Sequence, residues 1–275
     1  MGARGFATEA DARDFGEQLR LMVGIAGLCS RLGVDVGEDR PSGWVSEDFA
    51  RSIGLVKPHE RMVPNVHGLT ILPDDDNTRV AVTEVQAEVR SDPSQLLGAM
   101  TELAREMPLR VSAAASGVRL LNVALMSSQP LAQIVLAFSA VEALGQDETW
   151  SAAQADLIKK LAADVEENDG KHDAERLEVA EALRRSLHRV GLRQGVLRVL
   201  SRLDLRQLAK EWDRLYSLRS GVFHGTRVLT ETEIAQLAND TVSLCGRIIL
   251  AVVEQDGITV PSVAAKHFGE RDVRE

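Results

Sequence analysis

The sequence predicts a mainly α-helical fold: a helical bundle over residues 109–275, preceded by a smaller N-terminal α+β region, residues 1–108, that contains a β-hairpin. Three observations carry this expectation. Apolar residues recur at steps of three and four from Pro93 onward. The composition is 44% hydrophobic but only 4% aromatic, so Leu, Val and Ala must fill the core, a mix that favours helices. Alternating residues are confined to a stretch before position 90. At 275 residues the chain can hold two modest domains or one large one.

The first helix is expected from Ala7 to Leu32, where Phe15, Leu19, Met22, Val23, Ala26 and Cys29 keep the helical spacing and Gly33 supplies a stop. A loop-rich stretch with Pro41, Gly43, Pro58 and Pro64 follows. Next comes the hairpin. His67 to Leu72 forms one arm, Pro73-Asp74-Asp75-Asp76-Asn77 the turn, and Arg79 to Val89 the other arm, with a bulge near Thr83 and Glu84 where the alternation changes phase. The three Asp lack the alternating ligands and Gly of a calcium loop, so turn chemistry accounts for them.

Helices are then expected over Pro93 to Met107 and Val111 to Met126. Another starts at Ser128-Gln129-Pro130 and carries Glu142. Ser151 caps the next, a loop spans Glu166 to Lys171, and Asp173 to Val190 is again helical. Gly191 and Gly195 interrupt the pattern before a helix whose stripe is Leu205, Leu208, Trp212 and Leu215. The last helix, Thr230 to Val253, opens on a Thr230-x-x-Glu233 capping box.

Two Cys, Cys29 and Cys245, lie far apart inside apolar helical patterns, which points to buried thiols and away from a disulfide framework or a zinc site. The start, Met1 to Asp14, is polar and acidic, unlike an export signal. The most apolar run, Leu244 to Val253, is too short to span a membrane. A cytoplasmic protein is expected, without cofactor or metal. Formal charge is −9, yet Arg184 to Arg227 holds eleven cations against three anions, net +8, leaving −17 elsewhere. Within that block Arg198, Arg202, Arg206, Lys210 and Arg214 recur every fourth residue, a basic ridge leading toward Arg219. Such a ridge is either a solvated helix face or a track for nucleic-acid phosphates.

The chemistry-bearing stretch is Arg219-Ser220-Gly221-Val222-Phe223-His224. Arg219 and Val222 continue the stripe of Leu205, Leu208, Trp212 and Leu215, so Arg219 stands where a Leu is expected. It either snorkels to water or points inward, which requires a partner or a cleft. Glu142 is the same fault with the opposite sign, on the stripe of Leu131, Ile134, Val135, Phe138 and Val141. A Glu142–Arg219 pair across a helix interface would answer both. Arg219 can hold a phosphate in bidentate fashion, and His224 can move the proton of a ribose 2′-OH.

Ala137-Phe-Ser-Ala-Val-Glu142-Ala-Leu144, the helix from Ser151 to Val165, and Leu215-Tyr-Ser-Leu-Arg219-Ser-Gly-Val-Phe-His224-Gly225 occur in this order. Together they resemble the HEPN superfamily, most closely its ApeA-like branch, over residues 110–255. The resemblance implies a small helical bundle whose R-x4-6-H motif forms a metal-independent ribonuclease site, commonly assembled by two protomers. It also implies, by analogy, a role in antiviral defence or growth arrest, with residues 1–108 sensing or restraining.

Residues five apart on an ideal helix lie about 140° from each other, so Arg219 and His224 do not face one phosphate from an unbroken helix. Either Gly221 loosens the turn or a two-fold partner completes the cleft. His224 would then act as general base or acid, Arg219 would stabilise the phosphorane, and Glu142 would orient Arg219. Ser220, Arg214, Lys210 and Arg227 would contact substrate, Ser220 serving alternatively as a small residue for close helix approach. The expected products are a 2′,3′-cyclic phosphate and a 5′-hydroxyl. His59, His67, His172, His188 and His267 have no motif context, and metallohydrolase, P-loop and nucleophile-elbow signatures are absent. Two competing classes stand beside the nuclease. One is a non-catalytic HEPN-like module that binds RNA, a nucleotide or a partner protein. The other is an interaction protein whose residues 1–108 bind a regulatory protein while the helical half dimerises.

Overall fold

A computed structural model of the chain describes residues 3–37, 39–43, 46–63, 65–75, 77–80, 93–109, 114–167, 174–187 and 190–268. The fold is mainly helical. Helix α1, Glu9–Cys29, starts where Thr8 Oγ1 accepts the Asp11 N–H, and the chain leaves it through Arg31 and Gly33, both at positive φ. Two two-stranded ladders and a short helix, α2 (Glu47–Ser52), follow. Strand β1, Arg40–Gly43, runs antiparallel to β3, Asn65–His67. Strand β2, Arg61–Val63, runs parallel to β4, Thr78–Val80.

This pairing differs from the expected hairpin. Residues before the acidic turn pair backward with β1, and β4 pairs in parallel with β2, so no antiparallel hairpin ladder closes the turn among the described residues. Alternation marks a strand but does not name its partner, which is where the expectation failed. The remainder of the second arm, 81–89, with the bulge at 83–84, lies outside the described residues. Asp75 acts as a turn residue, its Oδ1 accepting the Asn77 and Thr78 N–H groups.

The helical part comprises α3 (Ser94–Ala104), α4 (Ala115–Met126), α5 (Pro130–Glu142), α6 (Ala152–Glu167), α7 (Ala174–Ser186), α8 (Leu192–Arg202), α9 (Ala209–Phe223), α10 (Glu231–Gln255) and the short α11 (Ala264–Phe268). Pro130 occupies the first position of α5, where its missing N–H costs nothing. Ser151 caps α6, its Oγ accepting the Gln154 N–H while its own N–H donates to Gln154 Oε1. Thr230 and Glu233 form the capping box of α10.

Helix α5 packs between α4 and α10 in the middle of the core. Phe138, Ile134, Trp212, Leu215, Ile248 and Ile249 are fully buried around it. The same core takes Ile25 and Leu28 from α1 and Leu103 from α3. Among the described residues, the buried side chains of α1 and α3 thus share the core of the helical part. Asn122 fixes this join: its Oδ1 accepts the Val34 N–H at 2.9 Å, and its Nδ2 donates to the Gly24 and Val118 carbonyls at 2.8 Å. Helix α10 meets the length and hydropathy of a membrane span, unlike its shorter most apolar run, but 67% of that window is buried inside the bundle. Cys29 and Cys245 are both buried, as their helical patterns predict.

The expected single helix up to Arg219 is instead two. Gly195 does not interrupt α8 but lies inside it, against Gly145, where a Cβ would come within 2.5 Å of the Gly145 carbonyl oxygen. The chain then reverses at Asp204, φ +55°, and passes through a 3-10 turn at Arg206–Leu208 into α9. That turn keeps Leu205 and Leu208 at the core, so the apolar spacing runs on across a break in the helix.

Candidate active site at the end of α9

Helix α9 puts Trp212 and Leu215 into the core and carries Tyr216 and Arg219 up the same face toward the C-terminal end of α5. There the two charged faults meet. Arg219 Nη1 lies 3.8 Å from Glu142 Oε1, with the Glu142 side chain 10% exposed and that of Arg219 25% exposed. The separation is that of an ion pair without a hydrogen bond, and Glu142 Oε1 has no hydrogen-bond partner although it is buried. The guanidinium rests against two rings: its carbon is 5.6 Å from the centroid of Phe138 and 5.5 Å from that of Tyr216. These rings stand nearly perpendicular, at 83°, with centroids 5.7 Å apart, and Trp212 packs on both. Arg219 thus points inward rather than snorkelling away.

His224 caps the C-terminus of α9, with φ −89° and ψ 3°. The end is a Schellman turn: the Thr226 N–H donates to the Gly221 carbonyl at 2.9 Å, and the Gly225 N–H donates to that of Val222 at 3.2 Å. Gly225 takes the left-handed conformation, φ +69°. Helical geometry continues through Gly221, so this glycine does not loosen the turn. Its role is to let Arg227 pass back over the helix, since a Cβ there would lie 3.1 Å from Arg227 Cβ. Gly221 therefore does not bring Arg219 and His224 to one side of the helix.

The basic ridge is the main correction. Arg198 and Arg202 belong to α8, and both are engaged there. Arg198 donates to the Thr149 carbonyl at 2.5 Å and stacks on Trp150, while Arg202 meets Glu148 at 2.5 Å. Arg206 donates to Ser201 Oγ across the reversal. Lys210 and Arg214 lie on α9, about 180° and 140° around the axis from Arg219, so they do not lead to it. They fall instead on the exposed side that carries His224, Lys210 about 40° and Arg214 about 80° from it. Arg214 also faces Asp240 at 3.7 Å. Ser220 is half-buried, and Arg227 is exposed beyond the helix end.

Among the other histidines, His67 bonds to Asp35 at 2.8 Å and His267 to Gln95 at 3.1 Å, while His59 is exposed. His172 and His188 lie outside the described residues. No cluster of metal-ligating side chains occurs among the described residues. On α10, burial, reinforced by the negative charge of Glu142, pushes the Cys245 thiol well above the usual range.

In the sequence, Arg219 and Glu142 stood out as breaks in an apolar stripe, and His224 through its spacing from Arg219. Sequence reasoning missed Phe138 and Tyr216 as neighbours of the guanidinium; the signal was Tyr216 three residues before Arg219, on the same helical face. Phe223, one residue before His224, is 45% exposed. Comparison with known proteins adds no relative: no family model, curated protein or solved structure matches the chain.

Proposed function

We propose that this chain is a metal-independent endoribonuclease of the HEPN type, working as a cytoplasmic homodimer with a composite site. The observation that carries the reading is Arg219 itself. Its guanidinium is kept at an apolar interface by two rings and a carboxylate, yet among the described residues it donates no hydrogen bond. One turn of chain away, an exposed imidazole closes the same helix.

In this reading the symmetric partner brings its His224 toward Arg219. One neutral His224 imidazole removes the proton of a ribose 2′-OH, and the 2′ oxygen attacks the adjacent phosphorus. Arg219 neutralises charge on the phosphorane, where its fixed donors are worth most. The phosphorus–O5′ bond breaks, and the second, protonated His224 gives its proton to the leaving oxygen. The products are a 2′,3′-cyclic phosphate and a 5′-hydroxyl, and proton balance is kept within the His pair. Lys210 and Arg214, on the His224 side, would follow the incoming backbone, and Arg227 and Ser220 would contact phosphate near the cut. Phe223 offers a face to a neighbouring base. Regulation by residues 1–108 and a role in antiviral defence or growth arrest follow from the HEPN resemblance.

One observation favours a second reading, a non-catalytic HEPN-like module binding RNA, a nucleotide or a partner protein. The Glu142–Arg219 contact alone would serve as a structural pair at the α5–α9 interface. The two readings separate on a substrate carrying a single 2′-O-methyl group at the cleavage position. A ribonuclease of this mechanism leaves that bond intact, cuts the unmodified strand and produces cyclic phosphate ends. A binding module retains both strands uncut.

A further inference from the structure

Resting on this reading, we propose that Tyr216 and Phe138 are positioning residues for Arg219, which they hold by their ring faces so that its N–H donors stay free for phosphate. An inward Arg is usually fixed by bidentate hydrogen bonds to a carboxylate, which consume the donors a substrate needs. Here the pairing with Glu142 stops at 3.8 Å, and Glu142 Oε1 remains without a hydrogen bond. Orientation must come from elsewhere.

The aromatic corner supplies it. A guanidinium is attracted to a ring's face by the ring quadrupole, and this contact uses its flat surface, leaving the N–H edge unspent. Two rings set at 83° restrict the plane of the cation in two directions, where one ring would leave it free to slide. Trp212 backs the corner: it is fully buried, with its centroid 4.9 Å from Phe138 and 6.1 Å from Tyr216. Tyr216 is the only tyrosine in the chain. Because its ring face does the holding in this account, its hydroxyl is dispensable.

The test measures binding of a labelled single-stranded RNA in a His224→Ala background, so that the ligand survives, with thermal melting as the folding control. Tyr216→Phe keeps the face and is expected to bind within about twofold of its parent. Tyr216→Leu keeps apolar volume without the face, and is expected to weaken binding about tenfold, the size of a lost cation–π contact. The decisive arm repeats Tyr216→Leu in an Arg219→Ala protein. A residue that acts only through Arg219 then has no further effect, whereas a general packing role weakens both backgrounds alike. Equal binding by the Phe and Leu variants, or an equal loss with and without Arg219, overturns the proposal while leaving the ribonuclease reading standing. RNA bound by none of the folded proteins, with an uncut substrate for the wild type, removes both.

Discussion

Replacing Arg219 with Leu restores the apolar stripe of α9 but strands Glu142, whose side chain is 10% exposed and has no hydrogen bond at Oε1. At 3.8 Å and an effective dielectric near 20, the pair's attraction is about 4 kcal/mol. Arg219 is a quarter exposed, so solvent screening reduces this to roughly 2–3 kcal/mol, the expected cost of Arg219→Leu. The converse change is milder. Glu142→Leu leaves a cation that keeps its two ring contacts and reaches solvent, for a loss of about 1 kcal/mol. The double substitution replaces an ion pair by two apolar side chains on two apolar stripes, and its stability returns to within about 1 kcal/mol of the parent. Urea unfolding of the four proteins, followed by circular dichroism at constant m, therefore yields a coupling of about 2 kcal/mol or more. Additivity within about 0.5 kcal/mol would mean that the two charges are solvated independently and that the inward reading of Arg219 is wrong.

Three further outcomes follow from the same structure. Gly145→Ala places a Cβ within 2.8 Å of the Gly195 carbonyl carbon and 2.9 Å of the Val196 nitrogen, backbone atoms that cannot step aside. Denaturant titration should show a loss of about 1–3 kcal/mol. Glu60 is held down to about 2 from 4.5, first by its hydrogen bond from Arg79 and then by the Lys57 N–H. Its contribution is full above about pH 4.5 and is lost as pH falls toward about 2, so Glu60→Gln flattens the stability–pH curve in that window. Parallel curves for the two proteins would contradict it. Finally, Cys245 is buried with its thiol held protonated, so native protein should resist iodoacetamide at pH 8 and react once unfolded. Mass spectrometry of the alkylated peptide reads either outcome.

What the sequence disclosed about this molecule followed from locality. Glu142 and Arg219 were legible because a charge on an apolar stripe is visible within one helix, and their opposite signs suggested the pairing that the α5–α9 interface makes. The caps at Ser151 and Thr230 were legible for the same reason. The break between α8 and α9 was hidden because both the apolar and the basic spacings survive a reversal only three residues long, Leu203 to Leu205, followed by a 3-10 turn. Local periodicity cannot report that the axis has changed direction. Gly195 read as an interruption because its purpose, close approach to Gly145, needs a partner 50 residues away. Strand pairing failed on the same ground, since β1 finds β3 and β2 finds β4 across intervening chain. The aromatic corner around Arg219 depends on Phe138 and Tyr216 coming from different helices, which only packing reveals.

The most direct test of the central claim is cleavage of end-labelled transfer RNA and total RNA by the purified full chain in EDTA, beside a His224→Ala protein of the same melting temperature and oligomeric state. The account predicts cutting by the wild type that resists EDTA, leaves 2′,3′-cyclic phosphate ends and vanishes in the variant. Cutting that persists unchanged in His224→Ala, or its absence from a folded dimeric wild type, would contradict it.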